Sequence, residues 1–301
     1  MCCFAQKVEF VGNTQIFSRL SGNGTQFLVY QMSYRSQGPN AMILPLPVRL
    51  PAQEKDVRFI ALDQYPEFFN DLANGFPLID RSWVKSPMIT SRAAPDAAPL
   101  AVVEVGDFVA SFVPTLDDFD RLDPRFVIPK SSWEKIPEYT DFSFAVFQLK
   151  SLDASIHPIA FEFPTRWSDR HFFPTVHIHD GEVHSREHFD HMLYLQEPSW
   201  DRIVGKYAGH NRRDPATQFV RSQKVASHYC KIGKAQGILA PEALIHRQSL
   251  QGMLPNQDTL AHPLGPTQAN IGWMPPAAMA GALASLGLGW IIHRRNHLQK
   301  S

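Results

Sequence analysis

The 24 prolines spread along this 301-residue chain constrain its fold more than any other feature. Proline lacks the amide hydrogen that a helix interior or a central strand needs, and its ring clashes with the preceding helical turn. A long helical bundle or solenoid is therefore disfavoured, and short strands joined by loops are favoured. The length suits one large domain or two small ones, and a 44% hydrophobic content supplies a sizeable core. The 29 Lys and Arg balance the 29 Asp and Glu. A neutral chain lacks the electrostatic footprint that a phosphate backbone requires, so nucleic acid is not expected as a general partner. Three cysteines cannot build a disulfide framework.

Strand patterns dominate the first two thirds. KVEFVG, TQIFSRL, QFLVYQMSY and AMILPLPV follow one another between Val8 and Val48, and Ser21-Gly22-Asn23-Gly24 reads as a hairpin turn. Asp63 to Phe76 has the spacing of a short helix closed by Gly75. SRAAPDAAPL at 91–100 reads as a linker, and strands resume with LAVVEVGDFVASFV, FSFAVFQLK and HPIAFEFP. The acidic turn with Asp117, Asp118, Asp120 and Asp123 lacks the glycine and closing Glu of a calcium loop. His184 to Gln196 has helical spacing with Ser185 as N-cap, and FVRSQKVASHYCKIGKAQGIL reads as a second helix. The fold class expected is α+β, a mostly antiparallel β body with a few helices and an apolar C-terminal helix. The expected organisation is a β-rich body at 1–198, with lobes 1–95 and 96–198, a helical and irregular extension at 199–270, and an apolar helix with a basic tail at 271–301.

The order of an early cysteine, LVYQMSY, ILPLPV, VGDFVASFV, FAVFQLK and PIAFEFP resembles an uncharacterised bacterial family known only as a domain of unknown function. The resemblance spans roughly residues 1–180. It implies a bacterial origin and a β-rich body, and it carries no activity across.

Chemistry concentrates in HFFPTVHIHDGEVHSREHFDH, which holds His171, His177, His179, His184, His188 and His191. Neutral imidazole is the commonest metal ligand, and a site needs several of them to converge. On a strand His177 and His179 share a face, with Asp180 at the following Asp-Gly turn. On a helix His184, His188 and His191 form one stripe that the turn folds back toward the strand. With Asp180, Glu187 or Asp190 as carboxylate, this gives three protein ligands and an open position. Such an arrangement suits zinc, iron, manganese or copper, with Glu187 or Asp190 moving a proton to or from a metal-bound water.

Two other features point elsewhere. If Met1 is removed, Cys2 becomes an N-terminal thiol beside an α-amino group able to act as its base, the arrangement of an N-terminal-nucleophile amide hydrolase. Cys2 with the strand IFSRL and Arg19 resembles the choloylglycine hydrolase pattern, but Leu20 and Gly22 replace its Asn and Asp. At the other end, residues 271–292 carry no charge, hold Trp273 and Trp290 near their two ends and precede His293, Arg294 and Arg295. They fit either a membrane or partner helix or a helix that covers the body. No signal peptide opens the chain, so a location on the cytoplasmic side, with or without a C-terminal anchor, is expected. Three functions stay open: a metal-binding protein or metal-dependent enzyme, a Cys2 hydrolase acting on a small-molecule or peptide substrate, and a non-catalytic binding or structural protein.

Overall fold

A computed structural model of the chain describes residues 3–76, 103–105, 108–149, 153–155, 157–207 and 217–262. The hairpin read at Ser21-Gly22-Asn23-Gly24 is present. Strand β2 (Phe10–Leu20) returns as β3 (Thr25–Arg35), and Gly22 and Gly24 take φ angles of 80° and 88° that a side chain would resist. An eight-stranded sheet grows around this pair, in the order β13-β14-β12-β2-β3-β10-β5 with β9 also pairing β3. Its other strands are β5 (Arg58–Ile60), β9 (Asp153–Ser155), β10 (Ile159–Pro164), β12 (Arg186–Gln196), β13 (Val220–Arg221) and β14 (His246–Pro255). All pairings are antiparallel except β12 with β2.

A second sheet has the order β1-β4-β8-β7-β6, formed by β1 (Cys3–Phe4), β4 (Asn40–Leu46), β6 (Val103–Val105), β7 (Phe108–Val113) and β8 (Ser143–Leu149). A short ladder joins β11 (His171–Phe173) to β15 (Thr259–Ala261). Because side chains alternate across a strand, the large sheet feeds two cores. Ile16, Leu28, Tyr30, Phe161, Leu193 and Leu195 point toward the second sheet, where Phe161 meets Phe147 at 5.9 Å between ring centroids. Phe17, Val29, Ala160 and Tyr194 point the other way. That face is covered by helix α1 (Phe68–Asn74) and by the segment carrying Ile238, Leu239 and Ile245. With both faces buried, the central strands read as near-continuous apolar runs.

The β-rich reading is borne out, as is the short helix closed by Gly75. Two expected helices are corrected. Residues 184–196 do not form one, because β12 bonds to β14 on one side and to β2 on the other, and its burial alternates with a period of two from Glu187 to Leu193. FVRSQKVASHYCKIGKAQGIL forms β13 and two short 3-10 turns, Ala226–His228 and Ile232–Lys234. The segment after residue 198 thus contributes β13, β14 and β15. The acidic run is a 3-10 helix, Leu116–Arg121, started by a reciprocal cap between Thr115 and Asp118. Residues 91–100 and 271–292 lie outside the described residues. Among those described, no helix is long and apolar enough to cross a membrane.

Candidate metal centre

The segment Val176–His179 is extended and held from both sides. Phe4 N donates to Ile178 O at 3.0 Å and Val8 N to His179 O at 3.1 Å, so the N-terminal strand runs alongside it. Opposite, His177 N donates to Asn256 Oδ1 at 2.7 Å, and Asn256 Nδ2 returns to His177 O at 3.0 Å. Just upstream, the Asp258 carboxylate accepts from Thr175 N at 2.7 Å and from Val176 N at 3.2 Å. Backbone so fixed leaves the two imidazoles little freedom. Their rings lie 4.8 Å apart at 25°, and Phe189 packs 4.5 Å from His177.

His177, His179 and Glu187 each present a ligand atom, all within 4.8 Å of one another, with His177 buried and the other two partly exposed. Glu187 belongs here because β12 is a strand: Glu187, Phe189 and His191 face inward, while His188 and Asp190 face out. His177 Nδ1 and His179 Nε2 are buried with no hydrogen-bond partner among the described residues. Buried polar atoms are ordinarily satisfied, and two such nitrogens beside a carboxylate form a group that could hold a metal ion. Burial also keeps both rings neutral, the state that ligates: it pushes His177 far below the usual imidazole range and His179 down to about 4.

The other histidines and carboxylates read from the sequence have different roles. His184 is exposed and pairs with Asp180 at 3.2 Å in the turn around Gly181, and Asp180 Oδ1 also accepts from Glu182 N. His188 is exposed on the outer face of β12. Asp190 accepts from Asn13 N at 2.7 Å and so is not aimed at the group. His191 lies beside it, its Nε2 3.3 Å from His177 Nε2. Of the three carboxylates weighed from the sequence, Glu187 is the one that lies with His177 and His179. Cys2 lies outside the described residues, Cys3 is buried at the start of β1, and Cys230 is buried in the second core.

Sequence reasoning did not single out Asn256 and Asp258, which carry no signal beyond polar residues in PNQDT. It also missed a buried chain in which Ser18 Oγ meets His171 Nδ1 at 3.0 Å and His171 Nε2 meets Glu197 Oε2 at 3.1 Å. Ser18 and His171 have no exposed surface, so this chain ties β11 to the large sheet and offers no substrate an approach.

Fold and site together define a mostly antiparallel β protein, built chiefly of two sheets, with a group of two histidines and a glutamate that could hold a metal ion. No protein-family model matches the chain, and no curated protein matches it. Among solved structures it is similar to baculovirus P35, with 11% identity over 87% of this chain and 99% of that one, at a TM-score of 0.45. It is also similar to a mutated baculovirus P35 after caspase cleavage, with 13% identity over 83% and 99% of the two chains at 0.42. A crystal structure of a caspase-8/P35 complex matches with 12% identity over 83% and 96% at 0.40.

Proposed function

We propose that this protein binds one divalent transition metal through His177, His179 and Glu187. The observation that carries the reading is the pair of buried imidazole nitrogens, His177 Nδ1 and His179 Nε2, that have no hydrogen-bond partner among the described residues and lie beside a half-buried carboxylate. Two imidazoles and one carboxylate suit zinc first, with iron, manganese and copper as competitors, and leave coordination positions open to water or substrate. A bound metal would acidify such a water, the chemistry that a metal-dependent enzyme uses. Elemental analysis of protein purified without a histidine tag tests this. Near-stoichiometric metal in the wild type, absent from a His177→Ala, His179→Ala double variant, supports the site. Metal-free protein that also takes up none of the four ions ends it.

A second reading, a non-catalytic protein that binds a macromolecular partner, is favoured by what the site lacks. Asp190 is held by Asn13 and Asp180 by His184, and if Glu187 ligates a metal, no carboxylate named from the sequence is left to move a proton. Identity of 12% and a TM-score of 0.40 assign no partner to this chain, so caspase-8 serves only as a first probe. Loss of protease activity on incubation with the intact protein would support this reading, and unchanged turnover would remove that partner.

A further inference from the structure

We propose that His191 is a positioning residue that fixes the ring tautomer of His177 and so presents Nδ1 of His177 to a metal. The inference rests on the metal reading above and adds the atom through which His177 binds and the residue that selects it.

His177 Nε2 and His191 Nε2 are 3.3 Å apart, with the rings 5.0 Å between centroids and 22° from parallel, so one nitrogen must donate and the other accept. If His191 donates, His177 carries its proton on Nδ1. That nitrogen is buried and meets no acceptor among the described residues. If His177 donates from Nε2, its Nδ1 lone pair is left bare, and the N–H between the two rings finds an acceptor in either arrangement. The second arrangement also places the His191 proton on Nδ1, 4.0 Å from the Asp190 carboxylate, where a partial positive charge is favoured. Asp190 is in turn held by the amide of Asn13, which sits at a φ of 54° in the bulge of β2. A chain therefore runs from Asn13 through Asp190 and His191 to His177. Outer partners of this type orient metal-binding histidines by engaging the nitrogen that does not bind.

Two measurements decide the matter. Long-range nitrogen–proton correlation spectra of metal-free protein should show the His177 proton on Nε2; a proton on Nδ1 overturns the proposal. Zinc titration against a competing chelator should show His191→Ala weakening affinity by about 10- to 100-fold, with His191→Gln, which keeps an acceptor, recovering most of it. An unchanged affinity in His191→Ala makes His191 a bystander, and a loss as complete as in His177→Ala makes it a ligand; either result overturns the positioning role. If the wild type takes up no zinc, the metal reading fails on its own, while the tautomer spectra still decide what His191 does. Those spectra use wild-type protein, so a variant that fails to fold leaves the decision intact.

Discussion

Asp258 and His246 tilt the stability of this fold in opposite directions as pH changes. The Asp258 carboxyl accepts from Tyr139 Oη at 2.7 Å and from the amides of Thr175 and Val176, yet loss of solvent outweighs these donors and its pKa rises to about 6. The folded state then holds this proton more tightly than the unfolded chain, whose carboxyl titrates near 3.8. Stability from Asp258 is present below about pH 4 and is lost as pH rises through about 6, on the order of 3 kcal/mol. His246 has no exposed surface and packs 5.7 Å from Trp200, and burial pushes its pKa down to about 3. Here the unfolded imidazole, near 6.5, takes the proton first, so stability is lost as pH falls from about 6.5 through 3. His179, at about 4, acts in the same sense as His246. Asp258→Asn keeps a carbonyl for the two amides but cannot titrate, so it should make the urea midpoint rise more steeply with pH between about 4 and 6. His246→Phe should make the same limb shallower. Parallel profiles for wild type and Asp258→Asn would show that Asp258 titrates at its ordinary value.

Strand β12 shows how much of the site the sequence made legible. The hairpin at Ser21 to Thr25 and the alternating phenylalanines are local signals, and both reappear in the fold. REHFDHMLYLQ is ambiguous, because its histidines fit both a helical stripe and an alternating strand, and only the ladders to β14 and β2 decide. That choice changes the chemistry. A helix would put His184, His188 and His191 on one face, whereas the strand puts Glu187 with His191 and sends His188 outward. His177 and His179 were identifiable from the sequence because i and i+2 share a face in any extended segment. Asn256 and Asp258 were not, since they meet His177 across 79 residues and Val176 across 82. The two geometries predict different mutants. In the strand geometry Glu187→Gln should weaken zinc binding more than about 100-fold, beyond the loss expected of an outer partner. His184→Ala and His188→Ala, both on exposed residues, should leave affinity within about twofold and unfolding free energy within about ±0.5 kcal/mol. Zinc loss in His188→Ala with Glu187→Gln unaffected would restore the helical stripe.

At the scale of the whole molecule, the segment beyond residue 198 completes the second core. Tyr207, Val220, Ile238, Leu239 and Ile245 pack over Phe17, Val29, Phe68, Phe69 and Tyr194. Side chains of the large sheet tie that cover down: Arg19 Nε donates to Ile238 O at 2.6 Å and Nη2 to Gly237 O at 2.7 Å. Gln196 and the Ala240 backbone exchange two hydrogen bonds of 2.8 Å. A chain shortened to residues 1–198 would lose β14 from the side of β12 and expose this apolar face to water. Each large side chain uncovered costs about 1.5–3 kcal/mol, so exposing several of them exceeds the roughly 5–15 kcal/mol that holds a typical domain folded. The shortened chain should therefore show no cooperative thermal transition and no near-ultraviolet aromatic dichroism. It should also bind zinc weakly, because Asn256 and Asp258, which align His177 and its strand, are gone. A sigmoidal melt from residues 1–198 alone would instead mean that the core between the two sheets stands without the later segment, which would then be a cover and not part of the folding unit.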